Sequence, residues 1–184
     1  MDTKNRLYAL CERIHHEGIQ IVDIFGKGES NKVWSGVMPK IYWHEDLIED
    51  ELKIKIPEDL KWLWDYYSSV AIKIYDYGIS GLYIYSPDQA LVRHKYYYVK
   101  EKELAKTIED LREGDFIIGE YFGEQQFVLI RCDEKSKDFG SILMTQPIDP
   151  REEWPIVATS LIDFLETYYL AGDMFWDNEK YWRT

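Results

Sequence analysis

The chain has 184 residues, of which 46% are hydrophobic and 16% aromatic, and this composition excludes an intrinsically disordered protein. Its formal net charge of −12 repels nucleic-acid phosphates and anionic lipid surfaces, so we expect no direct binding of nucleic acid and no membrane association. The length fits one folded domain with short additions. An acidic chain also favours basic protein partners, although many proteins are acidic because charge keeps them soluble.

The two cysteines, Cys11 and Cys132, lie far apart in the sequence and form no Cys-x-x-Cys pair. Each falls in an apolar stretch, which predicts two buried free thiols, as is typical of a reducing compartment. No stretch of 18 apolar residues is present, and no apolar run follows a basic start as in a signal peptide. The sequence therefore predicts a cytoplasmic protein.

The first part of the chain has the apolar spacing of helices. Apolar residues at i, i+3, i+4 and i+7 share one face over 3–17 and over 58–68, which predicts two amphipathic helices. A third helix is predicted over 44–53, with its leucines and isoleucine pointing inward and its acidic residues left outside. An apolar run at 19–25 predicts a short strand, and the polar, glycine-containing segment 26–31 predicts a loop. The side chains predicted to point inward from these helices are Leu7, Leu10, Cys11, Ile14, Leu47, Ile48, Leu52, Leu60, Leu63, Trp64 and Tyr67.

From residue 70 onward the pattern is typical of strands joined by short connections. Short connections favour antiparallel pairing, because parallel strands need a long crossover. A helix is predicted over 100–112, residues 89–99 give no clear prediction, and Ser160 is predicted to cap a closing helix. The predicted strands are 70–75, 82–85, 115–122, 126–132, 140–145 and 154–157.

This order of elements predicts the fold class. Helices near the start, strands in the middle and one helix at the end favour an α+β fold around a central, largely antiparallel sheet, with a mixed sheet as the alternative. We expect an N-terminal helix and extension at 1–40, packed on a domain at 41–172. An aromatic and acidic tail follows at 173–184.

Patterns for catalysis or metal binding are short and incomplete. His44 and the glutamate after it begin like a zinc-protease helix, but the residue four positions after His44 is isoleucine, so the second histidine ligand is missing. Asp88 with Asp133-x-Lys135 resembles the acid–acid–lysine site of metal-dependent nucleases. Asp133 and Lys135 are equally ordinary residues for a turn after a strand. We therefore predict no catalytic residue, no cofactor and no metal, with a metal-dependent enzyme as the least favoured alternative.

Acidic residues concentrate in two stretches that also contain Trp and Tyr. Residues 44–65 hold eight acidic residues against three lysines, a local net charge of −5, and residues 149–184 hold eight against three basic residues. Such stretches are commonly solvated helix faces. Acidic residues beside exposed aromatic rings are also what a cationic protein partner would contact. The predicted contact residues are Glu45, Asp46, Glu49, Asp50, Asp173, Trp176 and Asp177.

The segment 48–63 has the most distinctive sequence of the chain, IEDELKIKIPEDLKWL. It resembles the helix–Leu-Pro–helix signature that opens the SUKH superfamily of Smi/Knr-like proteins. Glu49 and Pro57 match that signature, whereas Lys53 stands where the family usually has glycine and Ile56 where it usually has leucine. Proline suits the restart of a helix because its φ angle is already set.

Later segments resemble the same family in the same order. The segments 116–119 and 140–144 are similar to two of its strands, and 156–165 is similar to its closing helix. The Asn-Gly that usually follows the second helix is missing, because Ser68-Ser69-Val70 stands there. The resemblance covers residues from about 40 to 170.

The resemblance implies an α+β fold and a function by protein binding. Bacterial members of the family are similar to immunity proteins, which bind and neutralise a toxin, often a nuclease or deaminase, and fungal members resemble signalling adaptors. The family has no agreed catalytic residues. Our leading hypothesis is a non-catalytic immunity protein for a polymorphic or contact-dependent toxin, active as a monomer or weak dimer. The alternative is an intracellular scaffold or regulatory adaptor.

Overall fold

The computed structural model of the chain describes residues 2–22, 31–75, 80–97, 111–122, 126–146 and 149–175. Its helices are α1 (Thr3–Glu17), α2 (Glu45–Leu52), α3 (Glu58–Tyr66), α4 (Pro87–Lys95) and α5 (Leu161–Ala171). Its strands are β1 (Ile19–Val22), β2 (Asn31–Pro39), β3 (Tyr67–Tyr75), β4 (Gly81–Ile84), β5 (Asp115–Phe122), β6 (Gln126–Arg131), β7 (Ile142–Met144) and β8 (Ile156–Ala158). Two short 3-10 turns are Arg151–Glu153 and Gly172–Phe175.

The eight strands form one sheet in which the spatial order repeats the order along the chain. Each neighbouring pair of strands is antiparallel. This arrangement confirms the predicted α+β class and the antiparallel sheet. The described strands contain no parallel pair, so the mixed alternative is not found among them. The helices pack against the sheet and share one hydrophobic core with it.

Strand β2 was not predicted. It contains Gly36 and ends in Pro39, two residues that weaken a strand pattern in the sequence. In the fold, the indole of Trp34 packs over Gly36, where an added Cβ would come within 3.0 Å of the ring. The predicted loop over 26–31 is wrong at Asn31, which begins this strand. The rest of that loop lies outside the described residues.

Two helical predictions also differ from the structure. The helix predicted over 58–68 ends at Tyr66, because the backbone of Tyr67 is already extended and begins β3. Residues 89–95 of the stretch without a clear prediction belong to helix α4, which begins with a capping box between Ser86 and Gln89 and with Pro87 at its first position. Of the helix predicted over 100–112, residues 111–112 are not helical and the rest lies outside the described residues.

Helix α3 joins the sheet to the closing helix. Trp64 is fully buried, donates from its indole nitrogen to the Tyr85 carbonyl oxygen at 3.0 Å, and meets the Phe116 ring edge-on. The buried Asp59 carboxylate accepts a hydrogen bond of 2.6 Å from the backbone N–H of Leu161, the first residue of α5. Helix α5 buries Leu161, Ile162, Phe164, Leu165 and Tyr168, and Ser160 caps it as predicted.

The N-terminal helix α1 contacts both the sheet side and α5. Its buried residues are the four predicted ones, and the Tyr67 hydroxyl donates to Glu12 at 2.5 Å. Arg6 donates to Asp163 at 2.9 Å and to Glu166 at 2.6 Å, both on α5. These contacts hold α1 against β3 and α5.

Close approach between strands requires glycine at one position of the family-like segment 116–119. A Cβ added to Gly119 would lie 2.4 Å from the Tyr83 carbonyl oxygen of the neighbouring strand β4. No side chain tolerates that distance against backbone, so the residue type at this point of β5 is set by the sheet itself.

Both cysteines are buried and free, as predicted. Burial raises the pKa of the Cys11 thiol to about 12 and raises that of Cys132 as well, so both thiols stay protonated and unreactive. None of the helices within the described ranges is long and apolar enough to cross a membrane.

Candidate protein-binding surface

Helix α2 carries four of the seven predicted contact residues. Glu45 and Asp46 lie in its first turn, where the helix dipole favours negative charge. Only Ile48 is fully buried among its eight residues. The prediction that Leu47 points inward is wrong, because Leu47 is 59% exposed. Helix α2 is short and contacts the core along a narrow stripe that includes Ile48 but not Leu47.

Two of the predicted acids are bound within the chain. Glu49 is paired with Lys55 at 2.8 Å and accepts a hydrogen bond from the backbone N–H of Ile56 at 2.8 Å. Glu45 is paired with Lys61 at 2.5 Å. These contacts fix α2, the turn and the start of α3 against one another, and they neutralise both carboxylates. We therefore infer that Glu45 and Glu49 position the helices.

The conformation of the turn between α2 and α3 explains the residue types in the family-like signature. Lys53 adopts a left-handed backbone with φ of 56°, the conformation in which glycine is least strained. Ile56 is buried, and Pro57 precedes α3 in an extended conformation. The backbone N–H of Lys55 donates to the Cys132 carbonyl oxygen at 3.0 Å, which ties the turn to the loop after β6.

The pairing of Glu49 predicts an acid-dependent loss of stability. Burial alone would raise the pKa of Glu49, but hydrogen bonds from Lys55 and Ile56 and the charge of Lys61 hold it below its ordinary value of 4.5. The unfolded chain thus takes up this proton first as the pH falls, and the stabilisation present above pH 4.5 is lost below it. We expect the urea midpoint of the wild type to fall more steeply between pH 5 and pH 3 than that of Glu49→Gln. Parallel profiles for the two proteins would contradict this assignment.

Asp46 and Asp50 differ from the two paired glutamates. They are exposed, one turn apart on the outer side of α2, and no ion pair among the described residues involves them. Leu47 lies between them on the same outer side. Tyr42, just before the helix, is also exposed and packs edge-on against His44. The outer side of α2 therefore combines negative charge with apolar surface.

The second predicted patch is described only in part. Asp173 lies in the 3-10 turn Gly172–Phe175, whose last residue is fully buried. Trp176 and Asp177 lie outside the described residues. The predicted contacts of the tail remain predictions.

The structure does not assemble the nuclease-like set. Asp88 lies exposed in the first turn of α4, whereas Asp133 accepts a hydrogen bond from the backbone N–H of Lys135 at 3.0 Å, as an ordinary turn residue does. Asp133 and Lys135 line a cavity of about 460 Å³ whose lining does not include Asp88. Within the described part of the chain, no group of three or more His, Cys, Asp and Glu side chains is placed to hold a metal ion.

The comparison with family models assigns the fold to a class of small α+β proteins. The model of the SMI1/KNR4 family (SUKH-1) matches residues 46–167, more than half of the chain, and the chain belongs to this family. Members of the family are typically immunity proteins and are generally non-catalytic. The matched region begins in α2 and ends in α5, so it contains the helix–turn–helix and the closing helix. No curated protein matches the chain.

Proposed function

We propose that this chain is a non-catalytic immunity protein that binds a cognate toxin and blocks its active face. The family match over residues 46–167 carries the proposal, since members of this family are typically immunity proteins. The outer side of α2 supports it independently, because exposed acids beside apolar surface suit a protein interface.

Charge supports a basic toxin as the partner. The chain carries a net charge of −12, which accelerates encounter with a positively charged protein and repels nucleic acid. A nuclease or deaminase that acts on nucleic acid has a positively charged active face. An acidic protein that covers that face excludes the nucleic-acid substrate, because its carboxylates pair with the same positive charges.

The direct test is co-expression with a candidate toxin domain, taken from the genes that neighbour the one encoding this chain. We expect cells that make both proteins to survive, and we expect the two proteins to co-purify as a stoichiometric complex. A toxin domain from an unrelated system is the control, and it should still kill. Survival without a complex would indicate another route of protection. Neither survival nor a complex would refute the immunity role and favour the intracellular adaptor.

A further inference from the structure

The described sheet has two edge strands, β1 and β8, and they differ in how they are protected. Edge strands are commonly protected by shortness, by proline or by charge, because an open edge can pair with another chain. Strand β8 has three residues, follows Pro155 and is largely buried. Strand β1 has four residues with the sequence IQIV, which contains neither proline nor charge. Of these two edges, β1 is therefore the one suited to pair with another strand.

Strand β1 exposes apolar side chains and backbone groups together. Ile19 is 69% exposed and Ile21 is 70% exposed, and both lie on one face of the sheet because side chains alternate along a strand. The N–H of Ser35 in β2 donates to the Gly18 carbonyl oxygen at 2.9 Å, so Gly18 and Gln20 direct their backbone groups toward β2. The backbone groups of Ile19 and Ile21 point away from β2, and they make no hydrogen bond within the described part of the chain.

An antiparallel edge of this kind matches a second copy of itself. When two copies meet about a two-fold axis centred on Gln20, Ile19 of each copy lies opposite Ile21 of the other. The backbone groups that point outward belong to these same two residues, so each such pair can exchange both of its N–H···O bonds. The isoleucine side chains then meet on one face of the joined sheet. The Gln20 side chains, which can both donate and accept, meet on the other.

The charges at this edge favour a second copy over a basic protein. Lys32, opposite Ile21 on β2, is exposed, and Glu17, just before the strand, accepts a hydrogen bond from the Gln20 side chain at 3.0 Å. These two charges have opposite signs, so the described residues of this edge offer no negative surface to a basic partner. Two chains with a net charge of −12 repel each other, and an edge without net charge adds little to that repulsion.

We propose that this protein forms a weak two-fold dimer, in which the β1 strands of two copies pair antiparallel and join the two sheets into one. The contact is built on one four-residue strand from each copy, which is small beside the about 1,200–2,000 Å² that stable complexes bury. We therefore expect a Kd of roughly tens to hundreds of micromolar. Strand β1 lies outside the region 46–167 that matches the family model, and the dimer does not depend on the immunity role.

Sedimentation equilibrium tests whether the dimer forms. We expect the weight-average mass to rise from 22.0 kDa toward twice that value between micromolar and near-millimolar concentration. Ile21→Lys places a charge within the apolar contact and should raise the dimer Kd by about tenfold or more. Leu170→Lys introduces the same charge on α5, where Leu170 is 76% exposed, and should leave the Kd unchanged. Both sites are exposed, so the urea midpoints of both variants should match that of the wild type.

Amide hydrogen exchange tests the strand pairing itself. The N–H groups of Ile19 and Ile21 should become protected as the protein concentration rises. The N–H of Gln20 is bonded to β2 and should be protected at every concentration. A rise in mass without protection of the Ile19 and Ile21 amides would refute pairing through β1.

The remaining outcomes distinguish a second copy from another occupant of the edge. Added salt should strengthen the dimer, because it screens the repulsion between two chains of charge −12, whereas it weakens a complex with a basic protein. Equal dimer affinities for Ile21→Lys and Leu170→Lys would refute the proposed contact. A wild type that stays monomeric up to near-millimolar concentration would refute the dimer and leave the immunity role standing. If Ile21→Lys then weakens binding of a toxin domain and Leu170→Lys does not, the edge belongs to the toxin interface.

Discussion

Replacement of Asp115 by alanine is expected to lower the free energy of unfolding by about 3–5 kcal/mol, because it leaves two buried arginines without their shared carboxylate. The Asp115 side chain is fully buried and pairs with Arg131 at 2.5 Å and with Arg151 at 3.0 Å. Arg151 donates a second hydrogen bond at 3.1 Å, and the backbone N–H of Arg112 donates another at 3.0 Å. Urea denaturation followed by tryptophan fluorescence measures the loss.

The neighbouring surface pair provides the control. Glu152 is paired with Arg112, but its side chain is 71% exposed, so Glu152→Ala should cost no more than about 0.5 kcal/mol. A loss below about 1 kcal/mol for Asp115→Ala would mean that the two arginines find other partners or water. The same result would remove the reason to regard this network as the link between β5, β6 and the 3-10 turn Arg151–Glu153.

Acidification from pH 7 to pH 4 is expected to cost about 3 kcal/mol through His94 alone. Burial lowers the pKa of His94 from 6.5 to about 4, against a smaller opposing effect of the Asp115 charge. Between these two values the unfolded chain binds the proton and the folded protein does not, so stability falls as the pH falls. Each unit of difference corresponds to about 1.4 kcal/mol. In geometric terms, His94 Nδ1 accepts the Ile117 N–H at 3.4 Å, and a proton at Nδ1 removes this acceptor.

Urea midpoints of the wild type and of His94→Gln at pH 7, 5.5 and 4 isolate this contribution. The variant should lose less stability on acidification, because glutamine does not titrate. His16→Gln is the matched control, since His16 is exposed, and its profile should follow that of the wild type. If the profiles of all three proteins coincide, His94 does not titrate with a lowered pKa in the fold.

Periodicity and chain order were enough to predict the fold class, the antiparallel sheet and the closing helix. They failed where a helical and a strand pattern overlap. Tyr67 fits the helical spacing of α3, but it belongs to β3 because it pairs with Pro39 of β2. No local signal in the sequence indicates a pairing partner 28 positions earlier. Helix α4 does carry a local signal in the sequence, namely the capping box of Ser86 and Gln89 with Pro87 at the first helical position.

The candidate surface was predictable as a region but not residue by residue. The acidic run around α2 is visible in the sequence, whereas the pairing of Glu49 with Lys55 and of Glu45 with Lys61 depends on the turn bringing α3 alongside α2. The exposure of Leu47 depends on how narrow the contact of α2 with the core is.

The strands of the sheet lie in the same order as in the chain, and this order affects how the protein folds. Each strand pairs with the strand just before it, so each pairing closes a comparatively short loop and costs little entropy beyond the previous one. The sheet can grow in the direction of synthesis. The contacts that need the end of the domain include the pairing of Arg6 with Asp163 and Glu166 across 157 and 160 positions and the hydrogen bond from Leu161 to Asp59 across 102 positions. We therefore expect α5 to dock onto α1 and α3 last, and to enclose the core after the sheet has formed.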